Sequence, residues 1–135
     1  MEPKEASLSA NLLGRRCTRI HAIEHSFDGA VWNPYNALYI ETDDGASFCV
    51  LFDLDKFFCR SEPPRAWPST GRNSYRLVEP QELRPLLGRL IRSVSFDPIS
   101  GGSRQLILRF GGGGELRYWN EELASRLVVD ASSDT

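Results

Sequence analysis

What this chain has little of narrows its reading first. It holds only three cysteines, Cys17, Cys49 and Cys59, an odd number with no paired spacing. That pattern excludes a disulfide framework and fits a reducing, cytoplasmic setting. The opening residues, "MEPKEASLSANLLG", lack the apolar stretch of a secretory signal, and no apolar run approaches the length needed to cross a bilayer. Net charge is nearly absent as well, at a formal -2. Nonspecific nucleic-acid binding depends on neutralising phosphates. With no long basic run to do so, neither nucleic acid nor a membrane is expected as a partner. The basic side chains are almost all arginine, the residue suited to bidentate carboxylate pairing across an interface.

What is present fits an ordinary globular domain. The 135 residues suffice for one domain, 1–135, that buries about two-thirds of its extended-chain surface. Residues 17–23, "CTRIHAI", carry the apolar and β-branched side chains of a strand. The stretch "HSFDGAVWNPYN" reads as a turn-rich loop punctuated by Asp28-Gly29 and Asn33-Pro34. Leu38, Ile40 and Thr42 alternate with Tyr39 and Glu41, and Asp44-Gly45 signals a hairpin. "SFCVLF" then reads as a central strand covered on both faces, with a helix expected on one side. Residues 60–76 form a connector broken by Pro63, Pro64 and Pro68. Further on, Pro80 suits a first helical position, Pro85 limits that helix to a short one, and Gly88 is a plausible stop. "NEELASRL" is expected to form a last helical turn with Asn120 as its cap, followed by a loose tail from residue 130.

The most informative pattern is a likeness between the halves. "LLGRRCTRI" (12–20) aligns without a gap on "LLGRLIRSV" (86–94). Leu38, Ile40 and Thr42 align with Leu106, Leu108 and Phe110, and Gly45 with Gly113. Segments 12–53 and 86–120 therefore read as an internal repeat, each too small to bury its own sheet face. The expected fold is α+β: a mostly antiparallel sheet of about six strands from two similar halves, with short helices covering one face or end. Within that frame Gly111–Gly114 takes the place of "DDGA" in the first half. A phosphate loop opens a helix, whereas these glycines lead into Glu115, Leu116 and Arg117 of a strand. The quartet is a hairpin turn.

No enzyme motif stands out, and no metal or other cofactor is expected. His21 and His25 lack supporting cysteines for zinc, and the cysteines read as small hydrophobes, with Cys59 beside Arg60 in the best setting for a reactive thiol. Asp43, Asp44, Asp53 and Asp55 suggest an acidic edge that a basic protein partner would meet. Trp32 and Tyr35 in the first loop, with Arg65, Trp67 and Arg72 in the connector, supply the residue types that dominate binding hot spots. Together these nine residues are the expected protein-binding surface. Two alternatives stand beside it. One is a small-ligand binder or enzyme, with His21, His25 and carboxylates around a cleft and His25 within reach of Asp53 or Glu41. The other is a structural homodimer joined at strand edges.

The pattern "LLGR…V…LILRF…GG…L.YW", carried by Leu86–Arg89, Val94, Leu106–Phe110, the glycine turn, Leu116, Tyr118 and Trp119, resembles small single-domain bacterial proteins of uncharacterised or immunity-type families associated with secreted toxins. The resemblance covers both hairpin halves. It implies a stoichiometric inhibitor that occludes the active site of a toxin effector. The mild negative charge is weaker than a blocker of a basic nuclease would carry.

Overall fold

Alternating apolar residues build the first sheet. In the computed structural model, which describes residues 2–99, 103–122 and 124–131, strands β1 (Cys17–Phe27), β2 (Ala30–Thr42), β3 (Ser47–Asp53) and β4 (Lys56–Ser61) form an antiparallel meander. A fifth strand, β5 (Asn73–Val78), pairs with the outer side of β1, giving the order β4-β3-β2-β1-β5. Ile20, Ala22, Leu38, Ile40, Phe48, Val50 and Phe52 all point to one face of this sheet, as the two-residue period of a strand requires.

The second sheet repeats the plan. Strands β6 (Ile91–Pro98), β7 (Arg104–Phe110), β8 (Glu115–Glu121) and β9 (Ala124–Asp130) run antiparallel in sequential order. Their inward residues, among them Val94, Phe96, Leu106, Leu108, Leu116 and Tyr118, join those of the first sheet in one core. Phe52 meets Tyr118 at 5.8 Å between ring centroids, and Phe57 meets Phe96 edge-on at 4.9 Å. Such pairs stabilise by about 0.5–1.5 kcal/mol beyond their buried area. The Tyr118 hydroxyl donates across the sheets to the Tyr35 carbonyl at 2.8 Å.

The sheets are stitched where the two Leu-Leu-Gly-Arg segments meet. Gly14 N–H donates to Ile91 O at 2.9 Å, and Gly88 N–H to Cys17 O at 2.6 Å. Cys17 N–H donates to Arg89 O at 3.0 Å, and Ile91 N–H to Arg15 O at 2.8 Å, around an antiparallel bridge between Arg16 and Leu90. Every bond has its counterpart at the aligned position of the other half. Gly14 and Gly88 both sit at positive φ, +81° and +83°, where side chains other than glycine's are strained. The likeness extends outward. A register shift falls between Cys17 and Arg19 and again between Ile91 and Ser93. Thr42 N–H reaches Ala46 O at 3.0 Å across one turn, and Phe110 N–H reaches Gly114 O at 2.8 Å across the other.

Two helical pieces precede these segments. Helix α1 (Pro3–Leu12) buries Leu8 and Leu12 fully and packs against β4 of one sheet and β6 of the other. Each fully buried leucine stabilises by about 1.5–3 kcal/mol. Glu5, 1% exposed, pins the helix through Arg104 at 2.9 Å, and Arg104 also donates to Phe96 O at 3.0 Å. The second piece is a 3₁₀ turn (Gln81–Leu86) that buries Leu83 and Leu86 just after Pro80 and ends before Gly88. Neither is long and apolar enough to cross a membrane.

The α+β class and the antiparallel sheets are as expected, but the described residues form nine strands in two sheets, not about six. Three strands were read otherwise. Lys56–Ser61 falls where a strand end or short helical turn runs into the connector, Asn73–Arg76 of β5 falls inside the expected connector 60–76, and Ala124–Leu127 of β9 falls inside the expected helical turn. In the last case Glu122 at φ 59° makes a hairpin turn, and pairing with β8 outweighs the acidic helix-start signal. The first loop is also strand: β1 and β2 continue to an Asp28-Gly29 turn, both residues at positive φ, the geometry of a tight hairpin. Pro34 is tolerated because β3 pairs with β2 only over Leu38–Glu41. The outer face of β3 is covered by no helix. Ile23, Ala37, Tyr39 and Cys49 form a second small core there under Trp67 of the proline-rich connector. The glycine quartet links β7 to β8, with Gly112 and Gly113 at positive φ. The tail expected to be loose from residue 130 starts later, since Asp130 ends β9 opposite Glu115, and residues 132–135, like 100–102, lie outside the described residues.

The fourth glycine of the quartet is demanded by packing. A Cβ on Gly114 would lie 2.6 Å from Leu86 Cδ2 and 2.9 Å from Arg89 Nη1. Gly114→Ala is therefore expected to lower unfolding free energy by about 1–3 kcal/mol in urea denaturation, the usual range for overpacking a core. An unchanged midpoint would refute that contact.

Candidate functional site

The nine residues expected to bind a protein do not form one surface. Asp43 and Asp44 sit in the β2–β3 turn, whereas Asp53 and Asp55 flank the β3–β4 turn. At roughly 3.3 Å per residue the length of β3 separates the pairs by about 20 Å. All four are exposed, so the acidity is divided between the two ends of a strand. Asp44 serves its turn: Thr42 Oγ1 donates to it at 2.6 Å and Ala46 N–H at 3.2 Å, with Arg15 Nε 3.6 Å away. Those contacts, the Thr42 bond foremost, lower its pKa below the ordinary carboxylate value.

The connector residues are also engaged internally. Trp67 is half-buried and donates its indole N–H to the Tyr39 hydroxyl at 3.1 Å, which in turn donates to Glu62 at 2.9 Å. Arg60 and Arg65 both lie 3.0 Å from Glu62. Tyr39 is fully buried, and burial is the largest cause raising its pKa. This network fastens the connector to the sheet, which explains why a run with three prolines packs in one path. Tyr35 acts likewise: its hydroxyl donates to Glu82 while its carbonyl accepts from Tyr118. Burial first, then the Glu82 bond, pushes the Tyr35 phenol up to about 12. Arg72 pairs with Asp28 at 3.5 Å.

Trp32 is different. It is 58% exposed at the tip of the β1–β2 hairpin, where Val31 at 54% and Phe27 at 44% are exposed on opposite faces. The tip is braced. Asp28 N–H donates to Arg72 O at 3.0 Å, β5 pairs with β1 as far as Phe27, and buried Asn33 accepts from Ser125 N–H at 3.3 Å. Sequence reasoning missed Phe27 and Val31 because it assigned them to a loop. The Asp28-Gly29 signal, followed to its hairpin, was enough to place all three on one tip.

The groups proposed for chemistry separate. His25 lies 2.8 Å from Asn73 Oδ1 and stacks on Tyr75 at 4.8 Å, away from both Asp53 and Glu41. It is His21 that meets carboxylates, Glu41 at 3.6 Å and Glu79 at 3.3 Å. Among the described residues no group of three or more His, Cys, Asp and Glu side chains is placed to hold a metal ion. The cysteines are free thiols. Burial pushes Cys17 up to about 12 and Cys59 up to about 11, and moves Cys49 the same way. At neutral pH all three stay protonated, the unreactive form. The Arg60 setting for a Cys59 nucleophile is not realised, since Arg60 is turned to Glu62.

Comparison with protein-family models, with curated proteins and with solved structures finds no match to this chain.

The Asp44 turn gives a pH test. A carboxylate whose folded pKa is depressed adds stability above its unfolded pKa, and that stability is lost as pH falls through the folded value. Thr42→Val is expected to move the Asp44 titration midpoint, read by carboxyl NMR, back up toward the ordinary value. It should also shrink the acid-side loss of stability. A midpoint that stays low would mean that Thr42 is not the main cause.

Proposed function

We propose that this protein works by binding another protein through exposed surface, with the β1–β2 hairpin tip as its main contact. The observation that carries this reading is the exposure of Trp32, with Phe27 and Val31 also about half exposed on the two faces of the same braced hairpin tip. A tryptophan held this exposed at a hairpin tip has the chemistry of a binding hot spot. The residues around it are held by internal pairs, so binding would not have to order them first.

The likeness of the halves, with its reciprocal bonds, shared register shift and paired turns, supports an internal duplication of 12–53 and 86–120 within one domain. The resemblance to immunity-type families supports a narrower version: a bacterial inhibitor that blocks a secreted toxin by occlusion. Cytoplasmic residence is supported by three unpaired cysteines. The acidic residues then act as two separate rims, Asp43 with Asp44 and Asp53 with Asp55, rather than one edge. A cleft enzyme has less support, because His25 and Glu41 do not meet.

The test is affinity capture from the native cell followed by calorimetry with the purified partner. Trp32→Ala is expected to weaken binding by about 2 kcal/mol or more, the scale of a hot spot, while leaving thermal unfolding nearly unchanged because the side chain is exposed. Unaltered affinity for the captured partner would remove the hairpin tip from the interface.

A further inference from the structure

We propose that the hairpin tip is a wedge, which enters a narrow, apolar-walled and uncharged cleft of its protein partner and is covered there on both faces. This rests on the reading of the tip as the main contact, and it adds the shape and chemistry of what receives it.

Six large apolar side chains are exposed among the described residues, and three of them, Phe27, Val31 and Trp32, fall within one stretch of the β1–β2 hairpin. They do not share a face. Phe27 lies opposite Asn73 of β5, two residues beyond the His25–Tyr75 pair. The two-residue period of a strand puts it on the outer face of the first sheet, the side where Tyr75 and Trp67 pack. Val31 lies opposite Ser26, one position before Phe27, and is therefore on the other face. A flat partner could cover only one of these two side chains and would leave the other in water. Apolar burial stabilises in proportion to the area removed from water, so the partner that uses the whole tip has a wall on each side of it.

The tip is built to enter such a space. Two tight turns end it side by side, Asp28-Gly29 and Gly71-Arg72, joined by the bond from Asp28 N–H to Arg72 O. Thr70 and Asn73 exchange both backbone bonds, at 3.0 and 2.9 Å, and close the second turn. A single sheet layer with its side chains needs about 10 Å of space. Concave, mostly apolar clefts are where proteins hold small ligands, and a wedge seated in one would occlude it.

Charge selects among clefts. The charged residues in 24–32 and 70–76 are Glu24, Asp28, Arg72 and Arg76, and they pair with one another. Arg76 lies 2.9 Å from Glu24, and Arg72 lies 3.5 Å from Asp28. His25 shares a hydrogen bond with Asn73 at 2.8 Å. Burying a lone charge is costly, and the tip carries none into an uncharged cleft. A basic cleft would meet no carboxylate at the tip that is not already paired.

The probe is the protein that the intact chain captures. The photoreactive residue p-benzoylphenylalanine replaces Phe27 in one chain and Val31 in another, and each is irradiated with the captured protein. Both are expected to crosslink to it, at separate segments on facing walls. Phe27→Ser and Val31→Ser are each expected to weaken binding by about tenfold or more, with thermal unfolding unchanged because both side chains are exposed. Affinity is expected to hold nearly constant up to about 0.5 M salt, where exposed charge pairs across an interface are screened. Crosslinking from one position only, with the other serine variant at full affinity, would overturn the wedge and leave the tip as the contact. Crosslinking from neither, with Trp32→Ala also at full affinity, would overturn both readings. A steep loss of affinity with salt would overturn the uncharged cleft. So would flotation of the chain with phosphatidylcholine vesicles that Trp32→Ala abolishes, since a bilayer would then be what covers both faces.

Discussion

The reciprocal exchange of backbone hydrogen bonds between the two Leu-Leu-Gly-Arg segments is the constraint on which this architecture rests. Neither meander can bury its inner face alone. Each presents a row of residues such as Ile20, Leu38 and Val50, or Val94, Leu106 and Tyr118, that needs an apolar cover. The four bonds around the Arg16–Leu90 bridge bring the starts of both meanders together, and the shared register that follows lays one inner face on the other. Gly14 and Gly88 make the approach possible, since only at positive φ does the chain leave each helical piece in the required direction.

From this junction the two halves diverge in what surrounds them. The first sheet acquires β4 and β5 at its edges and the connector over its outer face, fastened by the Trp67–Tyr39–Glu62 network. The second acquires only β9. Position 46 is alanine and its counterpart, position 114, must be glycine, because Leu86 and Arg89 crowd the second turn. Helix α1 fills the side between β4 and β6, and its burial of Glu5 against Arg104 ties the first residues of the chain to the second sheet.

Much of this was legible in the residues. The alternation in Leu38–Thr42 and Leu106–Phe110 marked true strands, Asp44-Gly45 and the glycine quartet marked true turns, and the repeated Leu-Leu-Gly-Arg marked the junction. What was not legible depended on pairing partners far along the chain. Asn73–Val78 carries a weak strand pattern of its own and is extended because β1 offers an edge. Ala124–Asp130 follows residues with helix-start chemistry, yet β8 offers it seven pairings. Propensity is local, whereas ladder formation is not. The same limit applied to the site. Trp67 and Tyr35 have hot-spot chemistry, but their hydrogen-bond partners Tyr39 and Tyr118 lie on other elements and draw them inward. Phe27 and Val31 were hidden by the opposite error, a hairpin taken for a loop.

Native-state hydrogen exchange at the junction tests the account most directly. If the two meanders fold as one unit through their reciprocal bonds, the amides of Gly14, Cys17, Gly88 and Ile91 will exchange only through global unfolding. Their exchange free energies will then equal one another and the free energy from denaturant unfolding. Exchange at these four amides well below the global value, or two separate unfolding transitions for the two sheets, would contradict it.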